Sequence, residues 1–244
     1  MQKKYSNFPK LFLLVLFLLT ACGHPTGLVI EEHAIRTMDW EGESLVFEPL
    51  EGTQAQILAQ RADLRNQPTV PGQTSLTVGS DLFEAAETIS DNRVAITVNK
   101  NSQTYLVVDA GVISPIYGLH GLWQTPEHWY LEVAHVEEDS DDPNAAFIIW
   151  GEVFQDGKSQ NMAYGFDEAF NFQLLNGKSF FFFEKAGKMG YVFDGKQYNL
   201  PYSRIPHYQC CSAAAFNPLP SQDLVSFFAD KTFTSYYVEM GIFK

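Results

Sequence analysis

The chain has 244 residues, 16 Lys and Arg against 29 Asp and Glu, and a formal net charge of −13. Such acidity argues against nucleic acid and against electrostatic docking on anionic lipid, since both need clustered basic residues. Twenty Phe, eleven Tyr and four Trp favour half-buried pleated surfaces, so the composition leans towards sheet.

The amino end, MQKKYSNFPK, carries Lys3, Lys4 and Lys10 and no acid, and Leu11 to Ala21 is an apolar run of 11 residues. A membrane-spanning helix needs about 20, so this pattern predicts a secretory signal peptide over 1–21. Leu19-Thr20-Ala21-Cys22 resembles the lipobox of bacterial lipoproteins. The resemblance covers only the first 22 residues. It implies cleavage before Cys22, a diacylglyceryl thioether on the Cys22 thiol and, commonly, acylation of the freed amine with a chain such as palmitate. Two or more acyl chains, at roughly 0.8 kcal/mol per buried methylene, give stable anchoring. The expected location is extracytoplasmic, held to a bacterial membrane, inner or outer. Residues 22–27 read as a tether. Loss of 1–21 removes three lysines and no acid, which takes the formal charge from −13 to −16.

Residues 28–244 are expected to form one β-rich globular domain, with a candidate internal boundary at the Pro- and Gly-punctuated stretch 68–75. Before it come an apolar segment at 28–30, a strand at 44–49 and a helical pattern over 54–66. From Arg93 the pattern changes to strands and turns. RVAITV and QTYLVVD form one hairpin, and 129–136 and 145–154 flank an acidic loop. FNFQLL, FFFFEK and KMGYVFDG form a meander turning at Asn176-Gly177 and Ala186-Gly187, the residue types that accept positive φ. Alternation would place two rings of Phe180–Phe183 on each face of a strand covered on both sides. Ser221 reads as the cap of a short helix over 221–230, and 235–243 as a closing strand.

DGKSQNMAY (156–164) and DGKQYNLPY (194–202) share five of nine residues at an offset of 38. Periods near 40 with several strands each occur in propeller blades. The expected class is therefore mainly β, of antiparallel hairpin or meander repeats, admitting a propeller-like arrangement, with one or two short helices; α+β is the alternative.

Candidate sites are few. The acidic stretch 137–144 lacks the glycine and ligand spacing of an EF-hand loop and reads as a solvated loop. Adjacent Cys210 and Cys211, near His207, read as small buried thiols. A disulfide between neighbours would need a distorted or cis peptide, and no spacing of zinc ligands accompanies them. Asp167-Glu168 are neighbours in sequence, which does not report the convergent pair that glycoside hydrolysis needs. No catalytic motif, metal site or cofactor motif is present. The aromatic segment holding Tyr117, His120, Trp123, Trp129 and Tyr130 is the candidate ligand surface, suited to sugars or to a protein partner; plain burial of its rings is the competing reading. The function these features favour is a lipid-anchored, non-catalytic binding or interaction module of the cell envelope, with an unidentified protein or glycan partner. The alternatives are an envelope glycan or peptidoglycan hydrolase and a structural envelope protein.

Overall fold

The computed structural model describes residues 28–38, 45–47, 63, 66–114, 118–138, 147–208 and 217–242. Cys22, Tyr117, Cys210, Cys211, most of the acidic loop and nearly all of the helical pattern at 54–66 lie outside them.

The described residues form 17 strands and one short helix. In chain order these are β1 (Val29–Met38), β2 (Leu45–Phe47), β3 (Ser75–Val78), β4 (Asp81–Ser90), β5 (Arg93–Lys100), β6 (Gln103–Val112), β7 (Gly118–Gln124), β8 (Trp129–Glu137) and β9 (Ile148–Gln155). They continue as β10 (Lys158–Ser159), α1 (Gln160–Tyr164), β11 (Glu168–Leu175), β12 (Lys178–Lys185), β13 (Lys188–Phe193), β14 (Lys196–Asn199), β15 (Leu219–Pro220), β16 (Leu224–Lys231) and β17 (Thr234–Gly241). The protein is mainly β, and its pairings are antiparallel apart from one β6–β8 bridge.

Local chemistry sets most of the register. At Asp91-Asn92, Asn101-Ser102, Asp156-Gly157, Asn176-Gly177, Ala186-Gly187 and Asp194-Gly195 both turn residues have positive φ. That is the type I′ turn, whose twist matches the flanking strands. The two DGK segments are two of these turns. After them the chain diverges, into α1 in one case and β14 in the other, so their shared part is the hairpin tip. In α1 the Ser159 hydroxyl accepts from the Met162 N–H, and Gly165 closes the helix at φ 66°.

Three unequal sheets result. One has the order β10-β9-β8-β6-β5-β4-β3, with β7 also paired to β8; another is the meander β11-β12-β13-β14; the last is β15-β16-β17-β1-β2. β1 fills the slot beside β17, with Val29 opposite Gly241, and so joins the first and last described strands. The meander lies between the other two sheets. Phe180 and Phe182 pack with Phe227, Val238 and Met240 on one side, while Phe181 and Phe183 pack with Tyr130, Val153 and Phe172 on the other. All four rings are at most 3% exposed. A further core of Phe83, Ile96, Leu122, Trp129 and Leu131 belongs to the large sheet itself.

The helix expected over 221–230 is a strand. Val225, Phe227 and Ala229, spaced by two, face the meander core, and the Ser221 hydroxyl donates to the Leu224 carbonyl instead of accepting from a helix terminus. Burial of that alternating face outweighs the weak capping signal. Strands β3 and β4 were not expected either. Of β4, only Phe83 and Ala85 are buried, so its sequence shows little alternation, and full pairing with β5 fixes it as a strand.

Candidate functional site

The aromatic segment falls on β7 and β8, where Trp123 lies opposite Tyr130 and Gln124 opposite Trp129. Pleating then sends neighbours apart. Trp129 enters the large-sheet core, 4.9 Å from the Phe83 ring. Trp123 and Tyr130 face the meander and pack on Phe172 at 5.0 and 4.6 Å. A bulge between Leu119 and Gly121 re-aims His120. His120 and Trp123 thus reach one cleft. Tyr130 reaches a separate groove beside His128, whose imidazole stands 2.6 Å from Asp156.

The first cleft, of about 340 Å3, opens where the three sheets meet. Its walls are β7, β8, β11, the segments around His207 and Asn217, and a strap over 69–72. Two backbone hydrogen bonds between Gln73 and Leu122, of 2.9 and 2.7 Å, hold the strap to β7, and the Trp123 indole donates to the Val70 carbonyl at 3.0 Å. The approach requires glycine on both sides. A Cβ at Gly72 would stand 2.8 Å from the Gly121 Cα, and Gly121 itself has φ 148°.

Glu132 is the centre of this region, 2% exposed in the middle of β8. Opposite it, β11 carries a second bulge between Phe170 and Gln173, with Asn171 at φ 56°. The bulge releases two N–H groups from the ladder, and they donate to the Glu132 carboxylate, Asn171 at 2.9 Å and Phe172 at 2.6 Å. The Tyr208 hydroxyl donates to the same carboxylate at 2.5 Å, and His120 stands 3.9 Å from it. Three donors from distant parts of the chain therefore offset the cost of burying this charge. Around it, Thr69 Oγ1, Asn171 Nδ2 and both polar atoms of the Gln173 amide are buried without a hydrogen-bond partner, and all three residues line the cleft.

Burial, then the Glu132 charge, then its hydrogen bond push the Tyr208 phenol well above its ordinary value. Burial and the Glu32 carboxylate do the same to Tyr202. A raised phenol binds its proton more tightly folded than unfolded, so this stability is fully present below the unfolded value of about 10 and is lost as pH rises beyond it. Denaturation midpoints should fall above about pH 10, and Tyr202→Phe should flatten that decline. A decline of equal slope in the variant would contradict the assignment.

A second cluster lies on the neighbouring face of the meander. Glu168 and Glu184 are cross-strand partners, His207 stands 2.8 Å from Glu168, and the His207 ring stacks on Phe170 at 3.5 Å. Burial, Glu168 and Asp167 raise the Glu184 carboxyl above the usual carboxylate range. Among the described residues no three His, Cys, Asp or Glu side chains converge as a metal-binding group.

Sequence reasoning did not single out Glu132, Asn171, Gln173 or Tyr208. A usable signal existed for Glu132, an acid within the otherwise apolar run WYLEVAHV, because such an acid is buried only with partners. Comparison with known proteins finds no match: no family model, no curated protein and no solved structure aligns with the chain.

Proposed function

We propose that this chain is a bacterial lipoprotein, anchored through Cys22, whose β-rich domain captures a small ligand at the extracytoplasmic face of the envelope without transforming it. The observation that carries the binding role is the cleft lined by His120, Trp123 and Gln173, with buried polar atoms of Thr69, Asn171 and Gln173 unpartnered at its wall. Native proteins leave few such groups, and each one asks for an explanation; a ligand that completes them supplies it. Glu132 is the only carboxylate among the described lining residues, and its oxygens are taken up by three donors. Glycoside hydrolysis needs two free carboxyl groups flanking the bond.

The binding role is tested by the thermal midpoint of the protein against sugars, muropeptides, lipids and divalent metals. A ligand that binds only the folded state at a hundredfold excess over Kd adds about 2.7 kcal/mol, and one class should raise the midpoint by several degrees. A flat response across the panel would contradict it. The anchor has its own test. Cys22→Ser should move the protein from the membrane fraction to the soluble one, and retention as a lipidated membrane protein would refute the lipobox reading.

One observation favours the hydrolase reading, namely Glu184 raised by burial and by the neighbouring Glu168, since a raised carboxyl suits a general acid. The two stand side by side as cross-strand neighbours in one wall of a groove of about 350 Å3, rather than facing each other across it, which makes this the lesser reading. It expects peptidoglycan cleavage that Glu184→Gln abolishes, and a pure protein preparation without cleavage would remove it. Gln at this position is also expected to raise stability at neutral pH. The raised carboxyl favours the fold below its unfolded value near 4.3, and that contribution is lost as pH rises through the raised value.

A further inference from the structure

We infer that the ligand of the cleft is a neutral carbohydrate read through a pair of adjacent hydroxyls, an inference that rests on the binding role proposed above. The cleft's own chemistry narrows the class. Among the described lining residues there is no Lys or Arg, and the one carboxylate is turned to internal donors. The chain carries a net charge of −13, and the imidazoles that line the cleft are His120, beside the Glu132 carboxylate, and His207, held by Glu168 and the Ile205 carbonyl. An anion therefore meets an unfavourable field, and a cation finds no free carboxylate.

What remains is hydrogen bonding beside an apolar wall. Gln173 is 1% exposed, and its amide oxygen and nitrogen are buried without partners, so a turn of this side chain into the cleft is what presents them to a ligand. One amide offers an acceptor and a donor side by side, and a ligand that satisfies both must present a donor and an acceptor on one edge. Two neighbouring hydroxyls of a sugar ring do this, because each hydroxyl rotates to donate or accept. A trans secondary amide does not, because its N–H and C=O point in opposite directions across the planar bond. Asn171 Nδ2 and Thr69 Oγ1 supply a further donor and a hydroxyl close by. Trp123 and Phe172, packed together at 5.0 Å, line the same cleft. An apolar ring surface beside convergent polar groups suits a pyranose, whose C–H face is apolar and whose rim is hydroxylated. The volume of about 340 Å3 lies at the lower end of small-ligand sites and sets the scale at one or two sugar rings.

The test uses the full chain in a sugar-free polyoxyethylene detergent. Cellobiose, maltose, lactose and N,N′-diacetylchitobiose are compared with N-acetyl-Ala-Ala N-methylamide and uracil, reading tryptophan fluorescence and the thermal midpoint. The expected result is saturable binding of at least one disaccharide, weakened at least tenfold in Gln173→Met. The ligand-free midpoint should not fall in that variant, since no internal hydrogen bond is lost. Deleting one hydroxyl of the bound pair should weaken binding to the wild type but not to Gln173→Met, the coupling that marks a direct contact. Where Gln173→Met does not fold, Asn171→Gly carries the same comparison, because glycine keeps the left-handed backbone at that position. Disaccharide binding undiminished by the variants would overturn the carbohydrate site while leaving a binding module. Binding of only the peptide or only uracil would overturn the sugar class and leave the cleft as a binding site. Silence from every probe, here and in the wider panel, would overturn both.

Discussion

Replacing Glu132 by leucine is expected to destabilise the protein by about 3–5 kcal/mol, the range for removing one partner from a buried charged network. The carboxylate accepts from the Asn171 and Phe172 N–H groups and from the Tyr208 hydroxyl. None of these donors gains a replacement when the acid is lost. Two of them are main-chain groups freed by the β11 bulge, so without the carboxylate the bulge itself becomes unfavourable. Glu132→Gln retains one accepting oxygen and should cost less, roughly 1–2 kcal/mol. Tyr208→Phe removes one donor and should cost about 1.5–3 kcal/mol, the range for a hydrogen bond to a charged group. Denaturant midpoints measure all three. A loss under 1 kcal/mol in Glu132→Leu would mean that the carboxylate does not organise the junction of the sheets.

The second large effect belongs to the meander. Phe182→Ala is expected to cost about 3–5 kcal/mol, the range for deleting a buried aromatic ring. The ring is 0% exposed and sits between Phe170 at 5.6 Å and Phe227 at 4.9 Å, the latter from the neighbouring sheet. Its loss therefore leaves a void where two layers meet, in a strand paired on both edges that cannot readily collapse. Phe233→Ala is the internal comparison. That ring is 100% exposed at the β16–β17 tip, and its removal should stay within about 0.5 kcal/mol of zero. Equal costs at the two positions would contradict the layered packing.

These two cases also separate what the sequence makes legible from what it hides. Asn176-Gly177 and Ala186-Gly187 announce their turns because positive φ is a property of the residues themselves, and Phe180–Phe183 announces a doubly covered strand through its period of two. Both signals are local. The apolar residues at 224–229 are ambiguous over one turn of helix, and only the opposing meander face decides for a strand. The cleft is less legible still. Its donors to Glu132 lie 39, 40 and 76 residues away in the chain, brought together by two bulges that no local pattern specifies. His120 and Trp123 stand out as polar-tipped aromatics, yet pleating sends Trp129 to the opposite face, and Tyr130, on the same face as Trp123, opens on a different groove. Gln173 has no signal at all in sequence. Its meaning comes from burial and from the lack of a partner, which are properties of the fold.

The proposed role is tested most directly by following the tryptophan indole N–H resonances while a bound sugar is titrated in. The chain has four tryptophans, and two of them bracket the question. Trp123 lines the cleft and donates to the strap at Val70, whereas Trp129 is held in the large-sheet core against Phe83. The account predicts that the Trp123 signal shifts and saturates with the ligand, that Trp129 stays in place, and that Gln173→Met removes the shift. A ligand that binds while the Trp123 resonance does not move would place the site elsewhere and contradict the account.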